Sequence, residues 1–177
     1  SPVDSILRDA HLTFGNLEGV LLDGEGHPKQ CKDPASCYVF RSPEHYAAYL
    51  RDAGFDVLSV ANNHVGDFGE PGRMATRRVL DSLGLYNAGL LSRPTAIFTL
   101  DSVRYGFCAF APNTGTVDFR DLEGAKSIVA GLDSVSDIVI VSFHGGAEGK
   151  GHRHIKKMNE EFLGENRGDP YAFARAV

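Results

Sequence analysis

The chain has 177 residues, enough for one domain of ordinary size and short for two. With 42% hydrophobic and 23% charged residues it has the make-up of a folded globular segment, which excludes a disordered or low-complexity chain. Eighteen Lys and Arg against 23 Asp and Glu leave a formal charge of -5, which implies no basic face for gripping a phosphate backbone, so no nucleic-acid partner is expected. No run approaches the ~20 apolar residues of a membrane helix. The opening SPVDSILRDAHL lacks the charged and apolar regions of a secretion signal, so any targeting segment is expected outside this chain.

From the N-terminus, Val3, Ile6, Leu7 and Ala10 recur at helical spacing with no capping residue ahead of them. Residues 11–17 predict a short strand, after which a Gly-rich polar loop runs from Glu18 to Arg41, too long for a simple connector. Ser42-Pro43-Glu44 predicts a helix start, with Ser as cap and Pro at the first helical position. Tyr46, Ala47, Leu50 and Ala53 form its apolar face until Gly54 ends it. The strand DVLSVA then delivers the chain into Asn62-Asn63-His64. Pro71 predicts a second helix through Met74, Val79, Leu80 and Leu83, stopped by Gly84. Residues 96–100 and 104–111 predict a hairpin joined through Asp101-Ser102, and a helix follows over about 124–132. DIVIVSF at 137–143 is continuous and β-branched, the pattern of a strand buried on both faces, and it ends in His144-Gly145-Gly146. Pro170 opens a last helix that stops at Val177. The alternation predicts an α/β fold of mainly parallel strands, helices on both faces and one antiparallel hairpin, in a single domain over 1–177 whose two ends read as cut.

Three cysteines leave room for one pair and one single. Cys31 and Cys37 bracket KDPAS, whose Asp33-Pro34 is a turn signal that can bring the sulfurs together. A disulfide there suits an oxidising compartment, two free thiols remain the alternative, and a metal is the poorer reading because no second ligand pair lies nearby. Cys108 falls in an apolar run and reads as a small core residue.

Two apolar strands thus end in His-bearing polar loops, ANNH and FHGG, and strand C-terminal ends are where open α/β sheets build their sites. Glu18 also follows an apolar strand. An Asn carbonyl oxygen and a neutral imidazole nitrogen are competent ligands for a divalent metal, and a carboxylate such as Glu18, Asp67 or Glu148 can bridge, orient or act as a base. Singly, each has a bland reading, since an Asn-His in a loop is usually a turn and a Glu after a strand is usually solvated. It is the joint pattern that points to a site.

FGNLEG at 14–19, AGFDVLSVANNHVGDFGEPG at 53–72 and DIVIVSFHGGAE at 137–148, in that order, resemble the CapA-type capsule and poly-γ-glutamate biosynthesis family. The ANNH-x-x-D-x-G block is the specific part. Residues 21–40, with the cysteine pair, show little to match. The family is similar in fold to metallophosphoesterases, which implies a layered sandwich of mainly parallel strands with helices outside, here incomplete at both ends. The resemblance implies that Glu18, Asn63 and His144 are metal ligands for one or more divalent ions. It implies that His64 meets the substrate's oxyanion or leaving group, and Asp67 is then a suitable orienting partner. Glutamate is long for a bridge between metals held ~3.5–4 Å apart, which leaves Glu18 to bind one metal or none. A GD-type strand end and a GH-x-PH loop of the family have no counterpart in this sequence. The family often carries an aromatic residue after the histidine where this chain has Gly145, which implies a more open pocket wall.

The implied activity is a metal-dependent hydrolase or transferase acting on a phosphoester or on a polyglutamate amide. The alternative is a non-catalytic subunit that holds an anionic polymer or a partner of a membrane-bound synthesis complex. Either job implies the cell envelope, outside the cytoplasm, with membrane association through a segment not in this chain.

Overall fold

The computed structural model describes residues 2–31, 34 and 37–177. Its first sheet is wholly parallel, with β1 (Phe14–Asn16), β4 (Val57–Ser59) and β5 (Tyr86–Ala88) in the order β1-β4-β5. The second has the order β6-β7-β8: β6 (Thr95–Leu100) and β7 (Val103–Phe110) form an antiparallel hairpin, and β8 (Ile138–Phe143) runs parallel to β7. The hairpin turns at Asp101 and Ser102, both at positive φ, as a tight turn between right-twisted strands requires. Two short ribbons complete the strands. β2 (Val20–Leu21) pairs parallel with β3 (Arg41–Ser42), and β9 (Glu160–Phe162) pairs antiparallel with β10 (Glu165–Gly168).

Side-chain alternation turns these sheets into layers. Along β4 and just beyond it, Val57 and Ala61 face one way and Leu58 and Val60 the other. Val57, Ala61 and Ala88 pack against Phe98, Tyr105, Phe107 and Ala109 of the hairpin, so the two sheets meet face to face. The outer face of the first sheet, with Leu58 and Val60, is covered by α2 (Ala47–Ala53) and α3 (Gly69–Ser82) through Ala47, Val79 and Leu80. The outer face of the second, with Cys108 and Phe110, is covered by α4 (Leu122–Asp133) and α5 (Pro170–Ala176) through Ala125, Leu132 and Phe173. The order of layers is helix, sheet, sheet, helix. α1 (Pro2–Asp9) lies against α2.

The two sheets pack tightly at Gly89, just past β5. Its φ is +117°, and a Cβ there would stand 2.6 Å from Ala61 Cβ and 3.1 Å from Ala109 Cβ. Only a residue without a side chain fits.

The expected layered α/β sandwich of mainly parallel strands with helices outside is the observed one, with several local corrections. Each sheet carries helices on its outer face alone, because its inner face is taken by the other sheet. β8 is not buried on both faces: it is the edge strand of its sheet among the described residues, and Ile138 is 47% exposed. Ser42 pairs in β3 instead of capping a helix, so the helical segment opens as a 3-10 turn over Glu44–Tyr46 after Pro43, with Tyr46 48% exposed. α3 starts two residues before Pro71, and Met74 lies on its solvent side. β2 and β3, which lie within and at the end of the expected loop 18–41, and β5, β9 and β10 are strands that the sequence pattern does not announce. Cys31 and Cys37 are bridged, with their Cα atoms 5.6 Å apart, and Cys108 is buried and free. The turn expected at Asp33, and the terminal residue Ser1, lie outside the described residues.

Candidate functional site

Asn62 builds the floor of the site. It is fully buried, and its Oδ1 accepts the backbone N–H groups of His64 at 3.0 Å and Val65 at 2.9 Å. Its Nδ2 donates to the carbonyl of Leu17 at 2.9 Å and to Asn16 Oδ1 at 3.2 Å, tying the turn after β4 to the end of β1. Asn16 Nδ2 in turn donates to Glu18 Oε2 at 3.2 Å. With Asn62 spent on architecture, its neighbour Asn63 is left with a buried Oδ1 that has no hydrogen-bond partner. A buried carbonyl oxygen without a donor is costly unless a ligand supplies the missing contact.

The turn after His64 brings Asp67 beneath it. The N–H of Asp67 donates to the His64 carbonyl at 3.1 Å, and Asp67 Oδ2 lies 2.8 Å from His64 Nδ1. Asp67 is fully buried. Its Oδ2 also accepts the N–H of Phe40 at 2.7 Å, and Lys29 Nζ stands 2.6 Å from Oδ1, an ion-pair contact without hydrogen-bond alignment. A carboxylate at Nδ1 fixes the proton of a neutral His64 on that nitrogen and leaves the Nε2 lone pair for other work. The Phe40 ring stacks on the imidazole with centroids 4.0 Å apart.

His144 follows β8, and its N–H donates to the Phe110 carbonyl at 2.9 Å. Burial pushes its imidazole below the ordinary range; the charges of Glu18 and Glu148 act upward, and those of Arg167 and His64 downward. The lowering favours the neutral imidazole, and the charges that act on it come from the ends of β1 and β4, from β10 and from the segment after His144 itself. Arg167 Nη2 lies 3.4 Å from His144 Nε2 and donates to Glu148 Oε1 at 2.8 Å.

The structure therefore brings Glu18, Asn63, His64, Asp67 and His144 to the C-terminal ends of β1, β4 and β8. The expected open wall at Gly145 is filled instead. A Cβ there would stand 2.4 Å from Phe119 Cζ and 3.0 Å from the Arg167 carbonyl, so the ring of Phe119 occupies the space an aromatic side chain at 145 would need. Lys29, Phe40 and Arg167 reach the site without having been expected there. They come from a long loop and from a polar ribbon, neither of which carries an apolar strand to flag it.

The donor types present suit a divalent cation: the orphaned Asn63 Oδ1, the Glu18 carboxylate and the neutral imidazole of His144. Among the described residues, however, no group of three or more His, Cys, Asp or Glu is gathered as a ready metal cage. The donor set fits a metal in kind and is partial in number. A separate hollow of about 280 Å³, lined by Asn113, Arg120, Glu165 and Asn166 among others, touches none of these residues.

The model of the bacterial capsule synthesis protein PGA_cap family matches residues 1–162. Two curated proteins of Sinorhizobium fredii, the uncharacterized proteins y4sH and y4uA, are each 34% identical over 93 residues, which is 51% of this chain and 20% of theirs. The chain thus spans about a fifth of the length of these relatives. Among solved structures, a Staphylococcus aureus protein described as a 5'-nucleotidase, in complex with α-ketoglutarate, aligns at a TM-score of 0.47 with 16% identity. That alignment covers 74% of this chain and 28% of the other. A 5'-nucleotidase precursor from Thermus thermophilus aligns at 0.41 with 13% identity, covering 66% of this chain and 33% of the other. Both scores are too low to support a fold or an activity.

Proposed function

Because the chain belongs to the bacterial capsule synthesis protein PGA_cap family, we propose that it forms a metallophosphoesterase-like domain working as a metal-dependent hydrolase or transferase in capsule synthesis. Its substrate would be a phosphoester or an amide bond of a polyglutamate-like polymer. The observation that carries this reading is the buried His64–Asp67 pair at the end of β4, beside the unsatisfied Asn63 Oδ1.

His64 acts as the proton carrier. Asp67 holds its Nδ1–H and stabilises the imidazolium that forms when Nε2 takes a proton, while Phe40 stacked on the ring keeps it from turning. Asn63, His144 and Glu18 would hold a divalent ion, which when bound polarises the scissile group and lowers the pKa of water. Neutral His144 keeps a lone pair for that purpose. The bridge between Cys31 and Cys37 fits an extracytoplasmic place in the envelope, beside a membrane-bound synthesis complex; no helix among the described residues is long and apolar enough to cross a membrane.

The competing reading is a non-catalytic subunit that holds the polymer, and the Arg167 guanidinium facing His144 Nε2 favours it. Purified protein decides between them. His64→Ala should reduce metal-dependent turnover of a phosphoester or polyglutamate substrate by about 100- to 10,000-fold, with an unchanged circular dichroism spectrum. Turnover equal to the parent's, or none in the parent with any divalent metal, would leave the binding subunit as the function.

A further inference from the structure

Arg167 is a buried cation that the proposed chemistry leaves unused. Its side chain is 4% exposed, and its place is set by the backbone, since its carbonyl accepts the N–H of Gly146 at 2.7 Å and ties β10 to the turn after His144. A guanidinium carries five N–H donors in a rigid fork and keeps its charge at any ordinary pH. Here Nη2 donates to Glu148 Oε1 at 2.8 Å and faces His144 Nε2 at 3.4 Å. Nη1 is 3.6 Å from Glu165 Oε2, beyond hydrogen-bond reach, and Nε is buried with no partner.

The two glutamates do not match this burial. Glu148 is 55% and Glu165 59% exposed at the side chain. Solvated carboxylates hold a partner weakly. Here the cation is sunk beside His144 while its anions are more than half exposed, so an incoming anion can reach them from solvent.

Resting on the reading of these strand ends as a site for anionic substrates, we propose that Arg167 is the site's anion-recognition residue. An incoming phosphate or carboxylate group displaces Glu148 from Nη2 and takes up the fork, so that Glu148 is an internal stand-in for the substrate's charge. The shared chemistry is an oxyanion able to accept two parallel N–H donors. A phosphoester and the carboxylates of a polyglutamate chain both present one.

Calorimetric titration of the purified protein with inorganic phosphate and with oligo-γ-glutamate, at low salt, tests the assignment. Arg167→Lys keeps the charge and loses the fork, and should weaken the bound anion about tenfold or more. Glu148→Gln removes the competitor and should tighten it several-fold. A merely structural ion pair would not give these opposite signs. Preference for phosphate identifies a phosphoester as the source, and preference for the oligomer identifies the polymer. If Arg167→Lys does not fold, Glu148→Gln decides alone: unchanged or weaker affinity in that variant overturns the proposal, as does failure of both anions to bind the parent protein. Anion binding that follows these signs while His64→Ala leaves turnover untouched would remove the catalytic reading and keep this one. Turnover that needs His64, with affinity indifferent to Arg167 and Glu148, would do the reverse.

Discussion

Asp67 is a single carboxylate serving three elements. It accepts from His64 Nδ1 and from the Phe40 N–H, and it faces the Lys29 ammonium. Asp67→Ala would leave His64 Nδ1 and the Phe40 N–H without their acceptor and Lys29 without its counter-charge, at about 1–3 kcal/mol for each buried donor left unsatisfied. We expect a fall in urea unfolding free energy of at least about 2 kcal/mol; a loss under about 0.5 kcal/mol would mean that water replaces the carboxylate. At this scale the sequence was informative where a side chain sits directly on a strand end. Glu18, Asn63, His64 and His144 could be proposed as candidates because the apolar runs before them end in these polar residues. Asn62 and Asn63 look alike in the sequence, and only the hydrogen bonds separate the one that holds the turn from the one left open. Arg167 and Lys29 were illegible because their roles depend on which distant backbone folds over them.

Among the elements, the ribbon of β9 and β10 holds the segment after His144 in place. Glu160 accepts the N–H of Ala147 at 2.7 Å and that of Lys156 at 3.1 Å. The Ala147 N–H does most to lower its carboxyl below the ordinary glutamate value; burial acts against it, and the Lys156 N–H and the charges of His152 and Lys156 add to the lowering. The unfolded chain therefore binds this proton more readily than the folded one. The resulting stability is fully present above the ordinary glutamate value and is lost as pH falls through the lower folded one. Urea midpoints followed from about pH 6 to about pH 3 should drop more steeply for the parent than for Glu160→Gln. Parallel curves would show that Glu160 does not anchor the segment. Neither strand of this ribbon has an apolar alternation, EEF and ENRG being mostly polar, which is why the helices and the long strands were legible and the ribbon was not. β5 escaped for another reason: three residues, YNA, are too few to show a period.

Across the whole molecule, two sheets share one interior and pack tightly at Gly89. Gly89→Ala would place a methyl against Ala61 and Ala109 at a backbone angle that disfavours any side chain. The strain alone is about 1–3 kcal/mol, and separating the sheets adds to it. We expect a lower melting temperature together with reduced His64-dependent turnover, because β4 and β8 bring their site residues from opposite sheets. Full activity in a destabilised variant would show that the distance between the sheets does not set the cleft. The alternation of strands and helices predicts an α/β class without showing how the sheets stack. That requires knowing which face of each strand meets another sheet, and the apolar run of DIVIVSF reads the same for an edge strand under one helix as for a central strand.

Both stems of the long loop over His64 are fastened to the same side chain. Lys29 and Phe40 meet Asp67 from either side of the bridge between Cys31 and Cys37. A change at either anchor therefore reaches the imidazole through Asp67, and the orientation of the ring depends on the loop at two separate points.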